Sequence, residues 1–334
     1  MGGIASGVAS HVEGYGSVTA GAYSHAEGYR TTAQAQGSHS EGYNTTAKGQ
    51  YSHSEGYETV SEGRYAHAEG AYTDAIGSYS HAEGYGDYNN LEITISGDAN
   101  ATTYQIVSGY TSTDRSTGVH VGSIVHYGTD IRYIVAVDQQ AHTITLNGTL
   151  SSAAITERVV TVLNSGAAGD YSHAEGKCTL AGERSSHAEG EETASLAQGS
   201  HSEGLLTVAG SDYQHVTGRL NVVDFDDKYA YIIGNGALMD VHNGTPYFES
   251  NAHTVAWDGT GWFQGDVYVG GESQDDTNAK KLATEEFVDN AIASIPTADL
   301  NLVNGAGAGS LRNVKAAEET DDYSVAQGAI ALGG

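Results

Sequence analysis

The chain has 334 residues, with 45 Gly, 22 Tyr, only 4 Phe and 2 Pro, and a formal net charge of −28. So much glycine with so little large apolar residue excludes a single thick hydrophobic core and suits thin repeated layers. The acidic balance excludes nucleic acid as a partner, since no basic patch can release counterions. It also disfavours anionic membranes.

Taken in chain order, the first element is a repeat. His11, His25, His39, His53, His67 and His81 stand 14 residues apart, and the series resumes with His173, His187, His201 and His215. Ten of the 15 histidines lie in this register. Nine of them have a glutamate two residues later: Glu13, Glu27, Glu41, Glu55, Glu69, Glu83, Glu175, Glu189 and Glu203. All ten are followed three residues on by glycine, from Gly14 to Gly218. The unit reads S-H-A-E-G-Y and then a T-x-A-x-G half. Alternation within S-H-A-E-G is the period of a strand: Ser24, Ala26 and Gly28 point one way, His25 and Glu27 the other. Each repeat therefore makes one coil of a narrow roll, with small side chains inside and coils stacked at ~4.8 Å. A helical reading fails because glycine recurs too often and no apolar stripe is present.

These motifs resemble the head repeats of trimeric autotransporter adhesins of the YadA type and the SHAEG-rich repeats of phage tail fibres and receptor-binding proteins. The resemblance covers about residues 4–86 and 169–218, and Ser324-Val325-Ala326-Gln327-Gly328 looks like the more apolar version of the same repeat. It implies a left-handed parallel β-roll in which three chains pack around one axis. It further implies that the His and Glu columns form a ladder at the trimer interface, where related adhesins place apolar residues.

The expected organisation is all-β. Residues 1–86 form a roll of 14-residue repeats, and 87–168 an inserted β-domain. Residues 169–218 continue the roll, and 219–272 form a β-rich transition. A linker and trimeric coiled-coil helix follow at 273–296, and a Gly-rich neck with the start of a second head-type repeat at 297–334. The insertion carries alternating segments at 91–95, 104–107, 123–127, 132–137, 143–146 and 159–163, which predict a small antiparallel barrel or sandwich. The offset from His81 to His173 is 92, not a multiple of 14, so the insertion is not expected to continue the coil count and is expected to bulge sideways from the roll. Both tryptophans fall in 219–272, which predicts a real core there. That segment, with Trp257-Asp258-Gly259 and Trp262-Phe263, resembles the transition segments of phage tail proteins. Thr284 is a candidate N-cap, and Leu282, Val288, Ile292 and Ile295 form a seam for a short three-stranded coiled coil. Pro296 ends it.

The His-x-Glu pairs invite a catalytic or metal reading. They lie on strands, unlike the helical H-E-x-x-H of zinc proteases, and they recur nine times, whereas an active site occurs once. A structural ladder is preferred and an ion-binding ladder comes second; no catalytic, cofactor or metal residues are assigned. Where the columns face the three-fold axis of a trimer, burial pushes histidine pKa values down and carboxylates push them up, and with the trimer's negative charge the carboxylates are expected to win. Tyrosines make two further columns: Tyr15, Tyr29, Tyr43, Tyr57 and Tyr85, and Tyr23, Tyr51, Tyr65, Tyr79, Tyr171 and Tyr213. They read as cladding first and as a sugar-stacking surface second. Cys178, the one cysteine, precludes an intrachain disulfide and is expected to be a small buried side chain.

The functional expectation is a non-enzymatic, structural and adhesive segment of a phage tail fibre or receptor-binding protein, located in the virion tail. Its partners are two further copies, a host cell-surface glycan or protein receptor, and other tail or baseplate proteins. A bacterial surface adhesin of the autotransporter type is the alternative, and a glycan-cleaving tailspike or self-cleaving fibre the third. Neither a transmembrane helix nor a secretory signal is expected, and the repeat beginning at Ser324 reads as the opening of a further stretch of fibre. Tyr110, Tyr127 and Tyr133 are the candidate receptor contacts, because binding sites gather on excursions from a scaffold.

Overall fold

The computed structural model describes residues 2–87, 91–109, 118–127, 130–138, 140–151, 153–238, 247–265, 268–269 and 280–281. Among these the chain is all-β, a parallel β-solenoid built from two sheets. A coil typically contributes a five-residue strand such as His25–Tyr29 to one sheet, shortened to His67–Ala68 in one coil, and a two-residue strand such as Thr32–Ala33 to the other. The short strands form a ten-stranded sheet from Ile4–Ala5 to Val208–Ala209. Pairing is parallel and in perfect register, so that His25 opposes His39, Glu27 opposes Glu41 and Gly28 opposes Gly42.

The local chemistry explains the coil. The glycine closing each long strand takes φ between +94° and +114°, a region that side chains avoid. A Cβ on Gly42 would also lie 2.2 Å from the carbonyl oxygen of Gly56 in the next coil. Inside, alanines such as Ala26, Ala33, Ala68 and Ala82 are fully buried beside serines and threonines. The hydroxyls are paired: Ser54 Oγ and Thr59 Oγ1 lie 2.8 Å apart, and Thr59 Oγ1 donates to the Glu55 carbonyl at 3.1 Å. The interior is thus small and hydrogen-bonded, which avoids the cost of orphaned polar groups in a space too narrow for water.

The roll passes through the 92-residue interval without interruption. His81 pairs directly with His173, and Tyr85 with Lys177. The coil begun by His81 is completed by Gly166–Ala167, whose Ala167 opposes Ala75. The inserted residues add no coil: 92 − 14 = 78 residues leave at one turn and return to the same turn, so the added length is invisible to the stack.

The excursion forms a closed antiparallel barrel of six strands, Leu91–Gly97, Thr103–Ser108, Thr143–Leu146, Asp130–Asp138, Ile124–Tyr127 and Ile155–Leu163 in order around it. Its core holds Ile93, Ile95, Tyr104, Ile106, Val125, Ile134, Ile144 and Val160. The Tyr104 hydroxyl donates to the Ala101 carbonyl at 2.6 Å and accepts from the Leu150 amide at 3.0 Å. The barrel lies against the roll. Ile124 and Leu163 pack with Leu180, Ala194, Leu196 and Val208 of the roll in one buried cluster, with Tyr133 and Phe225 at its margin.

At its far end the roll changes pairing. Tyr229–Asn235 adds parallel to His215–Arg219, then Asn251–Ala256 and Gly261–Phe263 follow antiparallel. The last short strand is capped by a side chain: the Val208 amide donates to Asn221 Oδ1 at 2.8 Å, and Asn221 Nδ2 donates back to the Val208 carbonyl at 3.0 Å. An amide thus substitutes for the next coil and blunts the sheet edge. The core here is Ala209, Val216 and Ile232 with Tyr229 against it. The tryptophans do not build it, contrary to the sequence expectation: Trp257 and Trp262 are 50% and 51% exposed. Two strands in the remainder, Tyr268–Val269 and Lys280–Lys281, pair antiparallel with each other.

Candidate functional site

The coil geometry gathers the repeated side chains into columns. On the long-strand sheet the alternation turns Ala26 inward and His25 and Glu27 outward. Because every coil is in register, all ten repeat histidines, from His11 to His215, stack ring on ring with centroids 4.6–4.9 Å apart. The stack continues across the barrel, with His81 and His173 4.9 Å apart and 4° from parallel. Side chains of the ladder are about one-third exposed, for example 35% for His81 and 34% for Glu69.

The glutamates form a parallel column beside the rings. His67 Nε2 lies 3.3 Å from Glu55 Oε1, and His81 Nε2 3.3 Å from Glu69 Oε1. The same cross-coil pairing joins His173 to Glu83, His187 to Glu175, His201 to Glu189 and His215 to Glu203, each at 3.6 Å. Near the start of the roll His11 is instead 3.4 Å from Glu13 and His25 3.7 Å from Glu27, within one coil. The structure therefore brings the predicted ladder together; Thr217 takes the carboxylate's place after His215.

Within the single chain, burial outweighs the carboxylates at five of the imidazoles. His39, His53, His81, His173 and His187 are pushed below the ordinary histidine pKa, first by burial and next by the imidazole in an adjacent coil. The carboxylates raise them, but less. The carboxylates also interact with one another and alternate. Hydrogen bonds with Glu189 and Glu83 push Glu175 up to about 7, while Glu83 and Glu189 are lowered by the hydrogen bonds they share with it. Glu69 is raised in the same way, by its hydrogen bond with Glu83. Glu41 is raised first by burial. Glu55, despite its burial, is lowered by its hydrogen bond with Glu41. Among these six glutamates, a raised carboxyl alternates with a lowered one, as coupling between like neighbours in adjacent coils produces.

Alongside runs a groove of about 680 Å3 with a glycine floor and a carboxylate wall, lined by Glu83, Glu175, Glu189 and Glu203, by Gly84 to Gly218 of the glycine column, and by Thr217.

The tyrosines stack as expected, with Tyr29 and Tyr43 5.0 Å apart and Tyr43 and Tyr57 4.8 Å apart. Tyr72 takes an edge-on position between Tyr57 and Tyr85. In the second column Tyr51, Tyr65, Tyr79 and Tyr171 follow at 4.9–5.3 Å, and all four occupy left-handed corners with φ of 58–61°. Cys178 is buried beside Asn164 and Leu180, and burial pushes its thiol up to about 11.

Of the three candidate receptor contacts, Tyr127 is half-buried against the barrel core. Tyr133 sits at the junction of barrel and roll, stacked on Phe225 at 5.8 Å, where burial raises its pKa. Tyr110, and the coiled-coil seam of Leu282, Val288, Ile292 and Ile295, lie outside the described residues.

Sequence reasoning missed the docking strip beneath the barrel, although the signal was present. The outward positions of the short strands read Thr32, Thr46 and Val60 early in the roll but Leu180, Ala194 and Val208 later; two residues on, Gln34, Lys48 and Glu62 give way to Gly182, Leu196 and Gly210. Polar positions turn apolar or small where the barrel covers them.

Fold and site together define the chain as a parallel β-solenoid that carries a barrel against its flank and a continuous His–Glu ladder on one sheet. In comparisons with known proteins, no family model and no curated sequence matches it. Among the described residues no helix is long and apolar enough to cross a membrane.

Proposed function

We propose that this chain is a structural and adhesive segment of a phage tail fibre or receptor-binding protein, a rigid trimeric shaft that presents a host-binding element. The observation that carries the reading is the unbroken register across the barrel. A stack that holds His81 on His173 while 78 residues (92 − 14) detour and return is a scaffold built to present a side element without losing axial stiffness. The barrel is the receptor-binding element, and its target is a surface glycan or protein. Excursions from a repetitive scaffold are where binding surfaces collect, because their loops are free of the stacking constraint.

Trimer formation belongs to the same proposal. Each coil buries alanine, serine and threonine and gains little apolar area, so a single roll is thin for its length. The His–Glu face is the surface on which three left-handed rolls meet, and the seam of Leu282, Val288, Ile292 and Ile295 extends the three-fold contact as a short coiled coil.

The reading is tested by two measurements on the full chain. Multi-angle light scattering at micromolar concentration is expected to return three times the chain mass; a stable monomer overturns the trimer. Fluorescently labelled protein is then applied to candidate host cells with and without residues 87–164. Loss of cell labelling on deletion is expected, and unchanged labelling removes the barrel from receptor binding.

A further inference from the structure

The distances in the ladder pose a question that packing alone leaves unanswered. Nε2 of His25, His39, His53, His173, His187, His201 and His215 is buried yet has no hydrogen-bond partner. A buried ring nitrogen without a partner is costly and rare. Its nearest acceptors stand just out of reach. Glu175 places Oε2 3.8 Å from His173 Nε2 and Oε1 3.6 Å from His187 Nε2. Glu41 does the same, 3.6 Å from His39 and 3.9 Å from His53. Hydrogen bonds between nitrogen and oxygen span ~2.7–3.2 Å, so these gaps are too long.

The gaps have the size of a coordination edge. Two ligand atoms each ~2.0–2.1 Å from a tetrahedral zinc ion stand ~3.4 Å apart. Repeatedly, a histidine, the glutamate two residues on and the histidine of the next coil offer ligand atoms within 4.8 Å of one another. This holds for His39, Glu41 and His53, for His67, Glu69 and His81, and for His173, Glu175 and His187. Two imidazoles and a carboxylate form a donor set that zinc accepts, with a fourth position left for water or a further ligand. It is a poor set for magnesium or calcium, which take oxygen ligands.

We propose that the ladder is a row of divalent transition-metal sites of the zinc type, each made by two stacked histidines of adjacent coils and the glutamate between them. Binding closes the carboxylate and both ring nitrogens onto one ion and cross-links successive coils. An imidazole Nε2 has one lone pair, so a histidine serves one ion at a time and overlapping triads cannot fill together. The three triads above share no residue, so at least about three ions can be held per chain at once. The sites lie on the face assigned above to the trimer, each is made by one chain, and ions counted per chain test them separately from the oligomeric state.

The test uses the full chain, stripped with EDTA and then freed of it. Zinc alone is titrated in competition with a chromophoric zinc indicator, and bound metal is counted by elemental mass spectrometry. At least about three ions per chain are expected, together with a melting temperature that rises with zinc and is indifferent to magnesium. Glu175→Gln and Glu189→Gln made together keep the shape of both side chains and remove both overlapping triads between His173 and His201, so the loss of one ion is expected with an unchanged circular dichroism spectrum. Cobalt substitution supplies a readout that needs no variant: the intense visible absorption of four-coordinate Co2+ is expected, and the weak spectrum of the hexaaquo ion overturns the proposal. Zinc binding below one ion per chain, or full occupancy in the folded double variant, overturns it equally.

Discussion

At the residue scale the roll depends on positions where one side-chain atom is too many. Gly42 combines φ of +105° with a neighbouring carbonyl 2.2 Å from where its Cβ would lie. The obstacle is backbone of the next coil, so no rotamer change relieves it. Gly42→Ala is expected to destabilise the roll by ~2 kcal/mol or more, the left-handed penalty plus the steric separation of two coils. Denaturant melts compared with an alanine introduced at exposed Gln34 measure this, and equal midpoints would contradict the geometry. Cys178 illustrates the opposite case, a tolerated residue whose chemistry is silenced. With its thiol pushed up to about 11, it holds almost no thiolate at pH ~8. The native protein is expected to resist iodoacetamide for hours at that pH and to react within minutes in urea; rapid native labelling, followed by intact mass, contradicts the burial.

At the element scale the informative contact is barrel on roll. The strip of Leu180, Ala194, Leu196 and Val208 would be an exposed apolar row on a bare solenoid and is covered by Ile124, Leu163 and Tyr133. Leu196 is fully buried there, so Leu196→Ala is expected to cost ~2–4 kcal/mol, mostly as loosened docking. Limited proteolysis reads it out as faster cleavage between 87 and 165 with the roll still resistant. Uniform resistance identical to the parent chain would mean that the barrel is held by its two connections alone. Single coils cannot be assessed this way, because each has a neighbour on both sides and opens only with it.

At the scale of the whole molecule the ladder governs the response to pH. In chelator-treated protein, His39, His53, His81, His173 and His187 prefer the neutral state more in the fold than in the unfolded chain. A lowered histidine pKa contributes stability that is complete above the unfolded value of ~6.5 and is lost as pH falls through the folded one. Glu175 acts in the reverse sense: raised from 4.5 to about 7, it penalises the fold as pH climbs through that interval. Glu55, Glu83 and Glu189, lowered from 4.5, stay charged throughout this interval, so Glu175 is opposed there by five lowered histidines. Melting temperature is therefore expected to fall between pH ~7.5 and pH ~5.5. A flat or rising profile in chelator would place the balance with the carboxylates, as the sequence alone suggested.

The sequence by itself determined the coil. A 14-residue period of His, Glu and Gly can be satisfied only by stacking like on like, so the parallel strands, the inward alanines and the outward ladder follow from spacing and alternation. It also contained the six barrel strands as alternating segments. Three matters waited for the tertiary structure. One was the closure of the roll across the 92-residue interval, because a detour that returns to its own turn leaves no trace in residue counting. Another was the placement of the barrel and the tryptophans, because burial depends on which surfaces meet, and an alternating strand does not name its partner. The last was the sign of the histidine shifts. Composition weighs one imidazole against one carboxylate, whereas stacking places each ring against other rings at under 5 Å, and their mutual repulsion adds to desolvation.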